Sequence, residues 1–203
     1  MKFIIGRKLN MTQIYSEGGV ATPATAVAVR GNVVTQIRTQ EVDGYQAVQI
    51  GEGARNPSRI AKAQKGHFKD LGNFATVKEF RLEEPSIMKV GDKIDLAQFK
   101  AGDVVQVSAV SKGKGFQGVV KRHGFGGGPR THGQKHSERE PGSIGGGLRT
   151  HVPVGTRMAG RMGSDRVTIK NLKIVHVDPA ENVVYVSGAV PGRRGTLVEI
   201  VAK

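Results

Sequence analysis

Short runs in which apolar and polar residues alternate recur along the first 110 residues of the chain, each bounded by turn residues. This period of two places one side of a strand against a core and the other side in water. Glycine-containing pairs such as Gly18-Gly19 and Asp43-Gly44 supply the turns between runs. We predict strands over Met11–Tyr15, Ala24–Arg30, Val33–Arg38, Tyr45–Ile50 and Phe74–Leu82. Such regular spacing is typical of an all-β barrel or sandwich.

The same pattern continues toward the carboxyl end. Two similar stretches, Val90–Leu96 and Ala101–Val107, each place a Gly-Asp turn before an apolar–polar run. Further strands are predicted over Val167–Val177, Val183–Ser187 and Thr196–Val201. Because strand patterns lie on both sides of residues 112–166, we expect that segment to be an insertion held at both ends. The predicted organisation is a β-barrel domain of residues 1–111 and 167–203, with an extension over residues 112–166.

One helix is predicted within the first β region, as a short insertion over about residues 56–69. Asn56 can cap it, Pro57 suits its first position, and Ser58–Phe68 continues it. Four cations recur at steps of three and four residues and would share one helix face. A solvated basic face is the alternative, but the charge of the chain favours an RNA-facing stripe formed by Arg59, Lys62, Lys65 and Lys69.

The segment 112–166 differs in composition from the rest of the chain. It holds 15 of the 29 glycines and eleven Lys or Arg against three acids. Glycine loses the most backbone entropy on ordering, and the apolar residues follow no period, so we expect that the segment does not pack by itself. Lys and Arg would neutralise phosphates there, and His would donate to phosphate or sugar hydroxyls. The candidate RNA-binding residues are Lys112, Lys114, Lys121, Arg122, His123, Arg130, His132, Lys135, His136, Arg139, Arg149, His151, Arg157, Arg161 and Arg166.

The charge of the whole chain supports the same partner. Its 203 residues carry a formal net charge of +14, and the isoelectric point is near 10.3. Nucleic acid is favoured over a membrane surface, because neither an amphipathic helix nor a lipid anchor is visible. The opening residues predict no signal peptide, and the absence of cysteine suits a reducing cytoplasm. Aromatic residues are only 5%, which favours phosphate and shape recognition over base stacking.

The stretch Gly113–Gly118 has the G-x-G-x-x-G spacing of a dinucleotide-binding loop. That fold needs a helix that opens at the last glycine, and the run Val119–His123 leads directly to Gly124, which leaves no room for it. The spacing also matches a kinase glycine loop, but no other kinase motif follows. A nucleotide-dependent enzyme therefore stays a minor alternative.

The other features that could indicate chemistry are weak. His132 and His136 have the spacing of two metal ligands on a helix, but Gly133 lies between them and no further ligand is placed. Ser143 and Ser164 have no base at motif spacing, so nothing supports nucleophilic catalysis. We predict no catalytic residue, no metal site and no cofactor.

Near the carboxyl end, Pro191–Gly195 predicts a tight turn that carries two adjacent arginines. A plain hairpin tip and an RNA contact are equally compatible with this composition. We include both cations of the turn, Arg193 and Arg194, among the candidate RNA-binding residues.

Several motifs, in order, carry a resemblance to a known family. Ser111–Arg122, which reads SKGKGFQGVVKR, is similar to the signature of the third protein of the large ribosomal subunit, in its bacterial form. The similarity extends to the opening GRKLNMT over Gly6–Thr12 and to Gly66–Phe68 at the end of the predicted helix. It continues with Thr131–Gly133, Pro141–Gly145, Met158–Gly163 and Gly188–Gly192, and so covers essentially the whole chain.

The resemblance implies a six-stranded closed β-barrel like the second domain of translation factors, with a short helical insertion and a long Gly- and Arg-rich loop. It implies a structural, non-catalytic protein of cytoplasmic ribosomes that binds large-subunit ribosomal RNA, nucleates early assembly and extends its loop toward the peptidyl-transferase centre. Its neighbours would be the fourteenth and nineteenth large-subunit proteins, and a membrane contact or a homo-oligomer is not expected. The alternatives are the nucleotide-dependent enzyme and a free RNA chaperone or translation factor.

Overall fold

The structure, a computed structural model, describes residues 1–16, 18–148 and 150–202. Within them the strands are β1 (Lys2–Tyr15), β2 (Ala21–Ala28), β3 (Asn32–Arg38), β4 (Ala47–Ala54), β5 (Phe74–Arg81), β6 (Lys93–Ile94), β7 (Val104–Val110), β8 (Gly115–Gln117), β9 (Gly160–Met162), β10 (Arg166–Asp178), β11 (Val183–Ser187) and β12 (Leu197–Ala202). The helices are α1 (Gln40–Asp43), α2 (Lys62–Phe68) and α3 (Val119–His123), with 3₁₀ turns at Pro57–Arg59, Lys69–Leu71 and Leu96–Gln98. The chain divides into two compact units, residues 1–110 with 166–203, and residues 111–165.

A closed barrel of six antiparallel strands forms the centre of the first unit, in the order β1-β12-β7-β10-β11-β2. The barrel predicted for this chain is thereby confirmed. Every second residue of β7 points to the interior, where Val105, Val107 and Ala109 are buried. β12 fills the same interior, and Ile200 faces Val107 across the ladder. Closure leaves no barrel strand without a neighbour, which removes the unpaired edges of an open sheet.

Strand β1 begins nine residues before the strand predicted at Met11. The run Phe3–Ile5 is buried at every residue, because one side faces the barrel and the other faces a second sheet. The ring of Phe3 stacks on that of Phe80 in β5, with 4.8 Å between their centroids. A strand buried on both faces has no alternation, and that is why the prediction missed it.

The second sheet has the order β5-β4-β3-β6 and shares the hydrophobic core of the barrel. Buried polar side chains join it to β1. The Asn32 amide accepts from the Ile5 N–H and donates to the Ile5 carbonyl. Arg7 donates through Nε and Nη2 to the two carboxylate oxygens of Glu52, which is fully buried. β6 is two residues long, shorter than the run Val90–Leu96, because a 3₁₀ turn begins at Leu96.

The prediction of one continuous helix from Ser58 to Phe68 is wrong. Asn56 does act as a cap, since its side chain accepts from the Ser58 N–H, but the turn that it starts ends at Arg59. Ile60 is extended and buried, and α2 begins only at Lys62. Burying the Ile60 side chain interrupts the helix, so the four predicted cations do not share one continuous helix face.

Candidate nucleic-acid interface

The helical insertion is held on the second sheet by a few specific contacts. Ile60 and Phe68 are 5% and 2% exposed, and the Phe68 ring meets the Phe74 ring edge-on at 5.4 Å between centroids. His67 Nε2 lies 2.8 Å from Gln49 Oε1 on β4. These contacts fix the backbone of the insertion, so the cations between the anchors project from a defined surface.

The predicted cations of the insertion, Arg59, Lys62, Lys65 and Lys69, are all exposed. None of them has an ion-pair partner among the residues that the structure describes. The structure adds Arg55, which is equally exposed and unpaired within that part of the chain. Sequence reasoning missed Arg55 because it precedes the helix, although residues 55–69 contain five Lys or Arg and no acid. We call these five side chains the insertion cations.

In the second unit, residues 111–165, the strands β8 and β9 and the helix α3 form an ordered part, which we call the base of the extension. β8 and β9 form an antiparallel pair with Gly115 opposite Met162 and Gln117 opposite Gly160. Helix α3 follows β8 and buries Val119. Two expectations are corrected here, since part of the extension packs by itself and a one-turn helix does fit after Gly118. The sequence prediction rests on a regular period of apolar residues, which this segment lacks. Hydrogen bonds between β8 and β9 and the burial of Val119 order it instead.

Two candidate RNA-binding residues support this base instead. Arg122 Nη1 donates to the Met158 carbonyl at 2.7 Å, and His123 Nε2 lies 3.0 Å from the same oxygen. Both side chains are half-buried. Gly160 allows the approach, because a Cβ at that position would lie 2.6 Å from Arg122 Nη1. Arg122 and His123 therefore hold the segment around α3 to the segment around Met158. Residue type alone makes both of them candidate RNA contacts in the sequence.

Gly163→Ala is expected to open the base of the extension. Gly163 has a φ of +77°, and a Cβ there would collide with the Lys112 carbonyl oxygen. A left-handed non-glycine residue costs about 1–3 kcal/mol, so amide exchange across β8 and β9 is expected to accelerate by about ten- to a hundredfold. Gly133→Ala is the matched control, because its φ is +78° but nothing lies within 4 Å. Unchanged exchange in Gly163→Ala would refute this description of the base.

Most other cations and histidines of the extension are exposed. Within residues 112–165, only Arg130 has an ion pair among the described residues, with Glu138 at 3.6 Å. Arg149 lies outside the described residues. We call the exposed group the extension cations and histidines, and it consists of Lys112, Lys114, Lys121, Arg130, His132, Lys135, His136, Arg139, His151, Arg157 and Arg161.

Arg166 is committed to a contact within the first unit. Its guanidinium donates to Glu199 on β12 at 2.6 Å, and Lys78 on β5 approaches the other carboxylate oxygen at 3.0 Å. Burial acts to raise the pKa of Glu199, but the hydrogen bonds from Arg166 and Lys78 outweigh it and hold that pKa below its ordinary value. Arg166 therefore has a structural contact within the barrel.

Glu199→Gln is expected to lower stability at neutral pH but not in acid. The folded-state pKa of Glu199 lies below its ordinary value of 4.5, so its contribution is complete above that value and disappears as the pH falls through the lower one. We expect a loss on the order of 1 kcal/mol at pH 7. The difference from the wild type should close as the pH falls below the lowered pKa, where the wild-type carboxyl is protonated too. Urea unfolding at pH 7 and across an acid pH series measures it, with exposed Glu181→Gln as control.

The turn that carries Arg193 and Arg194 is held from beneath by Lys8. The Lys8 ammonium donates to the carbonyls of Val190 and Gly192, and the Gly195 N–H donates to the Lys8 carbonyl at 2.7 Å. Both arginines are exposed and have no ion pair within the described part of the chain. The structure presents them on a fixed turn.

The described residues do not form a dinucleotide site at Gly113–Gly118, a metal site or a membrane-spanning helix. β8 of the Gly113–Gly118 stretch pairs antiparallel with β9, and α3 has five residues, so the parallel βαβ unit of a dinucleotide site is not formed there. No group of three or more His, Asp or Glu within residues 1–16, 18–148 and 150–202 is arranged to hold a metal ion. No helix in the same residues is both long and apolar enough for a membrane span.

Comparison with known proteins gives a consistent result. The family model described as Ribosomal protein L3 matches residues 66–184. The chain is 45% identical to the large ribosomal subunit protein uL3 of Herpetosiphon aurantiacus, across 97% of this chain and 94% of that protein. It is 43% identical to the protein of the same name from Chlorobium limicola, across 100% and 99%. For that of Pseudomonas syringae pv. syringae the identity is 47%, across 95% and 92%.

Proposed function

Because the chain belongs to the ribosomal protein L3 family in its bacterial form, we propose that it binds large-subunit ribosomal RNA through two separate cationic surfaces. The chain is a structural constituent of the large subunit of bacterial ribosomes in the cytoplasm, and it is not an enzyme. Its partners are ribosomal RNA and other ribosomal proteins. The two surfaces are those of the insertion cations and the extension cations and histidines, with the Arg193-Arg194 turn as a smaller third contact.

One observation carries the proposal, namely that the extension exposes its positive charge without internal neutralisation. Of the exposed Lys and Arg within residues 112–165, only Arg130 has a carboxylate partner among the described residues. Unpaired cations close together repel one another, and this cost is offset when phosphates are bound and counterions are released. Glycine-rich backbone lets these side chains come close to an RNA surface.

The first unit acts as the anchor in this proposal. Barrel and second sheet share one hydrophobic core, so they form a rigid support for the insertion cations. A rigid cationic surface can bind RNA before the rest of the particle has formed, because little conformational entropy is lost on binding. We therefore propose that this unit binds early in assembly, next to the fourteenth and nineteenth large-subunit proteins.

The tip of the extension, residues 144–155, is proposed to reach toward the peptidyl-transferase centre and to position RNA there. Leu148 and Val154 are fully exposed, and Ile144 is 43% exposed. Exposed aliphatic side chains at the end of a polar segment are unfavourable in water and become favourable when a partner covers them. In the sequence the apolar residues of this segment follow no period, and the pattern alone predicts no contact for them. The role of the tip is structural.

Sedimentation of a cell extract tests this function against a free RNA chaperone. The chain is expected to co-migrate with large subunits at low salt, because many phosphate contacts hold it together with the particle. A chaperone would remain mainly near the top of the gradient. Recovery of most of the protein there, with large subunits present, would contradict the proposal.

A further inference from the structure

One surface of the first unit has a chemistry opposite to that of the rest of the chain. A groove of about 640 Å³ lies beside the segment that follows β5. Its lining combines apolar side chains with two adjacent carboxylates, and includes Met1, Phe3, Leu82, Ile87, Glu83 and Glu84. This docking groove is separate from the insertion cations.

The floor of the groove is part of the hydrophobic core, and its rim is open. Phe3 is 1% exposed and stacked on Phe80, and Leu82 packs against the same core. By contrast, Ile87 is 98% exposed and Met1 62% exposed. A rigid floor with unpaired aliphatic side chains at its edge can accept an apolar side chain without reorganisation.

The segment that borders the groove leaves much of its backbone free. Residues 83–89 belong to no strand, and the Leu82 N–H makes the last ladder-like bond, to the Gln46 carbonyl. At its end the Met88 N–H donates to Ser86 Oγ, the Lys89 N–H donates to Asp92 Oδ2, and the Lys89 carbonyl accepts from the Asp92 N–H. The peptide groups of residues 83–87 are therefore the ones available to an extended partner chain.

Charge identifies the kind of partner. Residues 82–98 contain four acids and two lysines, a net charge of −2 in a chain of +14. Glu83 and Glu84 are exposed and have no cationic partner among the described residues. Phosphates would be repelled here, whereas Lys or Arg would be attracted.

We infer that the docking groove binds a cationic segment of another large-subunit protein, which inserts an aliphatic side chain beside Ile87 and pairs its Lys or Arg with Glu83 and Glu84. This inference goes beyond the proposed RNA contacts and uses none of the same residues. It shares with them only the requirement for an assembled subunit.

A photo-cross-linker tests the inference. The full chain with p-benzoylphenylalanine in place of Ile87 is assembled into large subunits, which are purified and irradiated. We expect a cross-link to one other protein, at a peptide of net positive charge. Glu83→Gln with Glu84→Gln in the same chain should lower the yield by about two- to thirtyfold, the range for two partly exposed ion pairs. The same probe at Val42 is the matched control, since Val42 is 86% exposed between two acids but does not line the docking groove, and it should give no reproducible protein cross-link.

Four outcomes would overturn the inference: a cross-link from position 87 to RNA, a cross-link to a second copy of the chain, a cross-link to a peptide without net positive charge, and no cross-link. A yield unaffected by the two glutamines would also overturn it, because the charge argument would then fail. The same probe at Lys65 reports RNA contact in parallel particles. Loss of that RNA cross-link would contradict the proposed function and leave the docking groove unaffected, so the two failures are distinguishable.

Discussion

Binding of the full chain to protein-free large-subunit RNA is expected to weaken by about three to five decades when the salt concentration rises from 50 to 200 mM. This estimate assumes that the insertion cations and the extension cations together neutralise about six to ten phosphates, each of which releases counterions on binding. Single-stranded RNA segments hold fewer counterions than a duplex, so we expect the loss of affinity to lie toward about three decades rather than five. Filter binding across a salt series measures the affinity.

A shallow salt response would contradict this prediction. It would mean that the exposed cations, although unpaired within the described residues, are a solvated surface rather than a phosphate-binding one. The half-buried pair Arg122 and His123 should contribute little to the slope, because both side chains are held by the Met158 carbonyl.

The second large effect is expected from Arg7→Met, which should lower the free energy of unfolding by about 3 kcal/mol or more. Glu52 is fully buried, and Arg7 supplies both hydrogen bonds to its carboxylate, at 3.2 Å each. Removing the cation leaves a buried charge without compensation, a change that costs about 3–5 kcal/mol. Arg7 is 32% exposed along its side chain, and access of water places the effect at the lower end. A loss of this size is a large part of the 5–15 kcal/mol typical of a domain.

Urea unfolding of the full chain, followed by circular dichroism, measures this loss. Arg55→Met is the matched control, because it removes the same charge from an exposed side chain that has no ion pair within the described part of the chain, and it should change stability by less than about 0.5 kcal/mol. Arg7→Met combined with Glu52→Met should recover much of the stability, since no charge is then left buried. A loss under about 1 kcal/mol in Arg7→Met alone would show that the pair does not hold the second sheet on the barrel.

The barrel could be predicted from the sequence wherever a strand has one face in water. The first half of β7, Val104–Val107, alternates between outer and buried positions, and Gly102 and Gly195 mark the turns before β7 and β12. β1 could not be predicted in full, because both faces of Phe3–Ile5 are covered and the period of two disappears. The break in the helical insertion escaped prediction for a related reason. The burial of Ile60, which stops the helix, depends on tertiary packing and leaves no local signal.

Charge along the sequence indicates which segments are cationic, but not which of their cations are exposed. The insertion cations and most extension cations are exposed, as a phosphate-binding surface requires. Arg166 is different because its partner Glu199 lies 33 residues away and comes close only when β10 and β12 join the same barrel. Arg122 and His123 are likewise directed by a carbonyl 35 or 36 residues distant. A count of charges along the chain contains no information on such long-range pairs.

The salt dependence of matched charge variants tests the central claim most directly. One variant has glutamine in place of three cations of the extension, Lys135, Arg139 and Arg157. The control has glutamine in place of three exposed lysines of the first unit, Lys89, Lys93 and Lys100. Both lose three positive charges, so the net charge of the chain is the same. We expect the slope of log affinity against log salt to fall by about two to three in the extension variant, at about 0.7–0.9 per phosphate contact, and to stay unchanged in the control. Equal slopes for the two variants would contradict RNA binding by the extension.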